Sequence, residues 1–121
     1  MGTALVIEDS LTELSIIKDF CRELGITVVV AGSGEEAITK LHQCQPNVII
    51  LDVVLPGRSG FEICRELKGA EQTKTIPVIL CSTKNSDMDK FWGLRQGADA
   101  YITKPIDQEV FNTTIKQFLK S

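Results

Sequence analysis

Five short apolar runs alternate along the chain with longer segments in which apolar residues recur every three or four positions. An apolar run without polar interruption is typical of a strand buried on both faces of a parallel sheet, and the three-to-four spacing is typical of a helix with one buried side. The predicted strands cover residues 3–8, 27–31, 48–52, 76–81 and 98–103. A helix is predicted after each of them.

Capping residues mark the starts of the helices. Three helices are preceded by a serine that is followed three residues later by a glutamate, the pattern of a capping box, in which each side chain binds the backbone N–H of the other residue. These pairs are Ser10 with Glu13, Ser33 with Glu36, and Ser59 with Glu62. Ser86 or Asn85 is expected to cap the fourth helix, and Asp107 the fifth.

The alternation of strands and helices predicts an α/β fold with a parallel sheet, right-handed crossovers and helices on both faces. Glu8 and Asp9 follow the first strand, and Asp52 ends the third. These acids can meet only if the first and third strands are neighbours, which favours the strand order 2-1-3-4-5 of a flavodoxin-like doubly wound (βα)5 fold. Residues 1–121 are expected to form a single domain with no effector domain attached.

Composition and charge narrow the function classes. The 121 residues are 43% hydrophobic and 24% charged with a net charge of −3, so a basic surface for nucleic acid or an anionic membrane is not expected. No apolar run approaches the ~20 residues needed to span a bilayer, and no basic segment precedes the first apolar run. These features predict a cytoplasmic protein with no direct nucleic-acid or membrane partner.

The four cysteines are assigned structural roles. They lie in different predicted elements without metal-binding spacing and are expected to be reduced: Cys21, Cys44, Cys64 and Cys81.

Phe91 and Trp92 are neighbours in the fourth predicted helix. Their side chains point about 100° apart, so both cannot face the core fully, and Trp92 is expected to be partly exposed. Trp92 either covers the fourth strand or anchors a partner.

The carboxyl ends of the strands bring candidate chemistry to one edge of the sheet. The residues expected there are Glu8, Asp9, Asp52, Ser82 and Lys104. Close carboxylates repel one another by about 4 kcal/mol per pair at an effective dielectric constant near 20, so a cation is expected among them. Oxygen ligands without histidine or cysteine favour Mg²⁺. An Asp52 oxygen could then attack phosphorus, with the ion, the Lys104 ammonium and the Ser82 hydroxyl neutralising charge on the phosphoryl oxygens.

Four segments resemble the receiver domain of two-component response regulators, and the resemblance covers essentially the whole chain. They are E-D after the first strand, I-I-L-D with L-P-G-x-x-G after the third, P-V-I-L-C-S at the fourth and D-A-Y-I-T-K-P at the fifth. The resemblance implies that Asp52 accepts a phosphoryl group and that Lys104 bridges to it. The implied Mg²⁺ ligands are Glu8, Asp9, Asp52 and the carbonyl of Val54.

The same resemblance implies how the domain would work as a switch. Ser82 would be the switch hydroxyl and Tyr101 the switch aromatic, and backbone groups of Val53 and Thr83 would contact the phosphoryl group. The Lys104–Pro105 peptide bond would be cis. A histidine kinase would be the phosphodonor of a monomeric receiver that catalyses only its own phosphorylation and dephosphorylation. An unidentified output protein would bind the face made by the fourth helix, the fifth strand and the fifth helix.

Three residues depart from the usual pattern of that family. Glu8 stands where aspartate is usual, which is expected to tune metal affinity without abolishing it. Thr83 stands where alanine or glycine is common, and Val54 offers no polar side chain to orient a hydrolytic water. Together with electrostatic shielding by Lys84, these residues predict a long-lived phosphoaspartate.

The run W-G-L-R-Q-G-A also resembles chemotaxis-type single-domain regulators of twitching-motility and phototaxis systems built on type IV pili. Two alternatives share the same fold: a receiver-like module that binds partners without phosphorylation, and a phosphate sink or relay. A flavin-binding electron carrier is disfavoured, because Glu8 and Asp9 would repel the cofactor phosphate.

Overall fold

Five strands and five helices alternate through residues 2–119, the part of the chain that the computed structural model describes. The strands are β1 (Gly2–Ile7), β2 (Ile26–Ala31), β3 (Val48–Asp52), β4 (Val78–Ser82) and β5 (Ala100–Thr103). The helices are α1 (Leu11–Glu23), α2 (Gly34–Leu41), α3 (Gly60–Gly69), α4 (Asp87–Arg95) and α5 (Gln108–Phe118). The strand order is β2-β1-β3-β4-β5 and every pairing is parallel, which confirms the predicted fold class and order.

Two apolar layers, one on each face of the sheet, hold the helices in place. Alternate residues of a strand point to opposite faces. Val6 of β1 therefore belongs to a buried cluster with Ile17 of α1 and Phe111 of α5, whereas Leu5 belongs to a second cluster with Ile63 of α3. Strands β3 and β4 are buried along their whole length, as expected for inner strands that are covered on both faces. No helix within residues 2–119 has the length and apolar character needed to cross a membrane.

Strands β4 and β5 each begin slightly later than the sequence predicts. The predicted starts were residues 76 and 98, and the observed starts are Val78 and Ala100. The carboxylate of Asp99 accepts the Val78 N–H at 2.8 Å, and the Asp99 N–H donates to the Val78 carbonyl at 2.8 Å. The side chain of Asp99 therefore closes the end of the sheet where the apolar pattern alone would extend both strands.

Three of the predicted capping boxes are only half formed. The serine side chains of Ser10, Ser33 and Ser59 each accept the N–H of the glutamate three residues on. Two of the glutamate side chains bind elsewhere: Glu36 accepts the Gly32 N–H at 2.7 Å, and Glu62 pairs with Arg58 at 2.7 Å. These partners engage the carboxylates in place of the serine N–H. The third glutamate, Glu13, turns toward the site described below.

The fourth and fifth helices start at the predicted residues. Ser86 accepts the Asp89 N–H while the Asp89 side chain accepts the Ser86 N–H, so α4 has a complete capping box. The Asp107 side chain accepts the N–H groups of Glu109 and Val110. Of the two candidates for the fourth helix, Ser86 and not Asn85 is the cap, and the prediction of Asp107 for the fifth is confirmed.

Helix α4 contacts the sheet through a glycine. A Cβ added to the buried Gly93 would lie 2.9 Å from both Leu80 Cδ1 and Tyr101 Cδ2, so no larger residue fits without movement. The larger apolar side chains of the helix face solvent, with Phe91 56% and Trp92 53% exposed. The prediction that Trp92 would be partly exposed is confirmed, and Phe91 is exposed as well.

Thiol reactivity provides a test of this packing. The four cysteines are free; Cys21, Cys64 and Cys81 are buried, and burial raises the pKa of their thiols to about 11, 11 and 12. Because the thiolate is the nucleophile, we expect one fast-reacting thiol, that of the partly exposed Cys44, in native protein at about pH 8. Titration with a chromogenic thiol reagent measures this. Cys44→Ser should abolish the fast phase, and fast reaction in that variant would contradict the buried positions.

Candidate functional site

Four neighbouring strands deliver the candidate residues to one edge of the sheet. Strands β1, β3, β4 and β5 lie side by side and run in the same direction, so their carboxyl ends meet at that edge. Glu8 and Asp9 directly follow β1, Asp52 ends β3, Ser82 ends β4, and Lys104 directly follows β5. The structure therefore places all five residues where the sequence predicts them.

A buried ammonium group lies between two of the carboxylates. Lys104 Nζ is 2.8 Å from Glu8 Oε1 and 3.4 Å from Asp52 Oδ1, and the lysine side chain is only 7% exposed. The Lys104 N–H donates to the Ser82 carbonyl at 2.9 Å, which fixes the backbone of the lysine against the end of β4. The Lys104–Pro105 peptide bond is cis, as expected. One side chain thus connects β5 to the acids that follow β1 and end β3.

The electrostatics of the cluster favour a second cation. Burial and, after it, the charge of Glu8 raise the pKa of Asp52, Lys104 opposes both effects, and the net result is a pKa of about 6. Burial lowers the pKa of Lys104, but its hydrogen bond to Glu8 and the charge of Asp52 outweigh this effect, and the pKa of Lys104 lies above its ordinary value. The ammonium therefore stays charged, yet it does not fully relieve the repulsion between the carboxylates.

Glu8, Asp9 and Asp52 form a group that could hold a metal ion. Each offers one carboxylate oxygen, and these three oxygens lie within 4.8 Å of one another. A set of hard oxygen donors around uncompensated negative charge fits Mg²⁺, the ion that the sequence predicts. Glu8, which stands where aspartate is usual, also accepts the Ser10 N–H on Oε2 at 3.1 Å. Its longer side chain therefore serves the helix start as well as the cluster.

The backbone after Asp52 bears on one predicted contact. The Val53 N–H donates to the Cys81 carbonyl at 3.1 Å, so it is engaged in the sheet. The Val54 N–H instead donates to Asp52 Oδ1 at 3.3 Å. Sheet hydrogen bonding thus continues one residue past β3, and the contact of the Val53 backbone with a phosphoryl group stays a prediction. The Val54 side chain is 57% exposed, and the role of its carbonyl as a metal ligand stays a prediction.

Ser82 and Tyr101 bind the same backbone unit in the loop between β4 and α4. The hydroxyl oxygen of the fully buried Ser82 accepts the Lys84 N–H at 3.0 Å. The Tyr101 hydroxyl donates to the Lys84 carbonyl at 2.7 Å. Burial raises the pKa of Tyr101, which keeps this donor protonated. Thr83, which lies between Ser82 and Lys84, is exposed, and the contact of its backbone with a phosphoryl group stays a prediction.

Two further residues belong to the site without having been predicted there. The Gly60 N–H donates to the Val53 carbonyl at 2.7 Å, and a Cβ on Gly60 would collide with the carbonyl oxygen of Asp52. The second glycine of L-P-G-x-x-G was the available signal. Glu13, which the sequence pattern assigns to a capping box, has its Oε2 3.9 Å from Lys104 Nζ. Its signal was its position in the first turn of α1, directly after the acidic pair.

Comparison with known proteins decides the family. The sequence profile of the response regulator receiver domain matches residues 4–116. The chain belongs to this family. It is 38% identical over 119 residues to Protein PilH of Pseudomonas aeruginosa, with 98% of both chains covered. It is 36% identical to the transcriptional regulatory protein AfsQ1 of Streptomyces coelicolor over 99% of this chain, but it spans only 52% of AfsQ1.

Solved structures agree with this assignment of the receiver domain. A putative response regulator from Chloroflexus aurantiacus superposes with a TM-score of 0.93 at 30% identity, covering 98% of this chain and 97% of the other. Chemotaxis protein CheY4 of Vibrio cholerae superposes with a TM-score of 0.89 at 28% identity, covering 98% and 99% of the two chains. The family resemblance seen in the four sequence segments is confirmed.

The close approach of α3 to the end of β3 predicts that Gly60 is sensitive to substitution. We expect Gly60→Ala to lower the free energy of unfolding by roughly 1–3 kcal/mol, because the added Cβ meets backbone that cannot rotate away. Gly69→Ala in the same helix is the matched control, because no atom lies within 4 Å of a Cβ added there. Urea unfolding of both variants measures the difference. Equal stability of the two variants would contradict the close approach of Gly60 to Asp52.

The buried carboxylates predict that the site costs stability when no metal is bound. A folded-state pKa raised to about 6 means that ionised Asp52 destabilises the fold increasingly as pH rises, with the full cost present at neutral pH. In EDTA at neutral pH we expect Asp52→Asn to unfold at a higher temperature than the wild type, with a free energy of unfolding that is higher by up to about 3 kcal/mol. The difference should shrink near pH 4 and with added Mg²⁺. Thermal unfolding that shows Asp52→Asn to be less stable in EDTA would refute this.

Proposed function

We propose that this receiver domain is a signalling switch in which Asp52 accepts a phosphoryl group from the phosphohistidine of a histidine kinase. The observation that carries the proposal is the buried Lys104 ammonium, held 2.8 Å from Glu8 and 3.4 Å from the Asp52 carboxylate. A cation beside a potential nucleophile is suited to neutralise charge on phosphoryl oxygens. Membership of the response regulator receiver family supports the same reaction.

The proposed transfer is a displacement at phosphorus. A carboxylate oxygen of Asp52 forms the new P–O bond while the P–N bond to the donor imidazole breaks, and the imidazole nitrogen keeps the electron pair. In this proposal Lys104 pairs with the transferred group, and the Val54 N–H, which donates to Asp52 Oδ1, would donate to a phosphoryl oxygen. Mg²⁺ held by Glu8, Asp9 and Asp52 would supply the positive charge that the carboxylates call for.

The proposed switch acts through the backbone of Lys84. Ser82 Oγ accepts the Lys84 N–H, and the Tyr101 hydroxyl donates to the Lys84 carbonyl. When the Ser82 hydroxyl turns to a phosphoryl oxygen, the Lys84 N–H loses its acceptor and the loop is free to move. Tyr101 then loses its own partner and turns into the vacated space. Moving such an equilibrium from 1:99 to 99:1 takes about 5.5 kcal/mol, which two or three charge-assisted hydrogen bonds can supply.

The proposed output surface is the face made by α4, β5 and α5. Helix α4 exposes several large apolar side chains there, and α5 adds one: Met88, Phe91, Trp92, Leu94 and Val110. Exposed aromatic residues are enriched at the energetic centres of protein interfaces. An output protein that contacts these residues would sense the position of the loop that leads into α4.

We further propose that the domain works in the cytoplasm as a monomer in a chemosensory system linked to type IV pili. The similarity to Protein PilH along nearly the whole of both chains, together with the W-G-L-R-Q-G-A run, supports this assignment. In this role the domain catalyses no reaction other than its own phosphorylation and dephosphorylation.

Intact-mass spectrometry tests the proposed phosphorylation. With Mg²⁺ and acetyl phosphate, the protein should gain one phosphoryl group, Asp52→Asn should gain none, and Asp19→Asn, altered at an exposed aspartate on α1, should behave like the wild type. After removal of the donor, the modification should persist for minutes. Absence of any gain would favour a module that binds partners without phosphorylation, and loss within seconds would refute the predicted long lifetime.

A further inference from the structure

The side chain of Glu13 is turned away from the helix start that its sequence position would serve. Ser10 Oγ accepts the Glu13 N–H at 3.3 Å, which forms half of a capping box. The other half is missing because the Ser10 N–H donates to Glu8 Oε2 at 3.1 Å. With that donor engaged, the Glu13 carboxylate lies instead 3.9 Å from Lys104 Nζ.

Glu13 differs from the other carboxylates that face Lys104. Glu8 and Asp52 are nearly buried, with side chains 1% and 8% exposed, and both belong to the group that could hold a metal ion. The Glu13 side chain is 28% exposed and is not part of that group. It therefore places a partly exposed negative charge near the ammonium, outside the group of carboxylates that could hold a metal ion.

We propose that Glu13 is a positioning residue that holds Lys104 back from an incoming phosphoryl group and lowers the reactivity of Asp52 toward small anionic phosphodonors. This inference rests on the proposed function of Asp52 as the phosphoacceptor. A small donor dianion near Asp52 is repelled by the partly exposed Glu13 carboxylate and competes with it, as well as with Glu8, for Lys104. A phosphohistidine presented by a docked kinase brings binding energy of its own to offset this repulsion.

Glu13→Gln isolates the charge from the structural role of the residue. Glutamine has nearly the same shape and is itself accepted at this position of a capping box, so α1 should start as before. Glu71→Gln is the matched control, because it makes the same change in net charge at a side chain that is 87% exposed, in the segment between α3 and β4. Glu13→Asp keeps the charge but withdraws it from Lys104 by one methylene.

The rate of phosphorylation by acetyl phosphate at saturating Mg²⁺ provides the first measurement. Glu13→Gln should react roughly two- to fivefold faster than the wild type at low salt, the range expected for a partly exposed charge. The gain should narrow at high ionic strength because exposed charges are screened. Glu71→Gln should match the wild type, and Glu13→Asp should fall between the wild type and Glu13→Gln. Phosphoramidate, which carries less negative charge at neutral pH, should show a smaller gain.

Calorimetric titration with Mg²⁺ alone provides a second measurement that needs no phosphorylation. Loss of a nearby negative charge should weaken Mg²⁺ binding by roughly two- to fivefold in Glu13→Gln, whereas the rate with the anionic donor rises. Opposite effects on a cation and an anion are the expected signature of the Glu13 charge. General loosening of the site would instead weaken binding and slow the reaction together.

The outcomes separate this inference from the proposed function. If wild-type Asp52 takes no phosphoryl group, the proposed function fails. If Asp52 is phosphorylated but Glu13→Gln reacts no faster than the wild type, only the role of Glu13 is refuted. An equal gain in Glu71→Gln would show that net charge alone matters and would also overturn the inference.

Discussion

A buried ammonium between two buried carboxylates is the interaction on which the functional edge of this receiver domain depends. Lys104 reaches Glu8 and Asp52 from the end of a different strand, and its own backbone is tied to the Ser82 carbonyl. Groups with this much charge can be buried only when they are paired, since an isolated buried ion is strongly disfavoured. The contact therefore requires β1, β3, β4 and β5 to end together, which the sheet order provides.

The same contact leaves part of the negative charge of the site uncompensated. Asp52 retains a raised pKa because burial and Glu8 together outweigh Lys104. The surrounding fold tolerates the free-energy cost of this raised pKa, because β3 and β4 are buried throughout and α3 is packed against the Asp52 backbone through Gly60. The stability of the sheet thus offsets the free-energy cost of its acidic edge. Binding a cation there, or attaching a group that pairs with Lys104, would lower that cost.

The sequence was sufficient for the fold and for the residues gathered at the edge of the sheet. Uninterrupted apolar runs located the strands, and the need for Asp52 to meet the acids after β1 selected the strand order. The direction of individual side chains was not predictable in the same way. A serine followed by a glutamate shows which N–H the serine accepts, but Glu13, Glu36 and Glu62 each turn to partners supplied by the folded structure. The different partners of the Val53 and Val54 N–H groups depend on where sheet hydrogen bonding stops, and that point is set by the neighbouring strand. Likewise, the apolar residues of α4 predicted a helix but did not show that the helix would contact the sheet through Gly93.

The contact of Gly93 with the sheet has a mechanical consequence. Helices usually resist sliding because bulky side chains interlock with grooves on the surface beneath them. Helix α4 lacks such interlocking at Gly93, and the loop before it is tethered through the Lys84 backbone by two hydroxyl groups. Because no side chain of α4 inserts into the sheet at Gly93, we expect the helix to shift with little repacking there when the hydrogen bonds to Lys84 change, and the exposed indole of Trp92 would move with it.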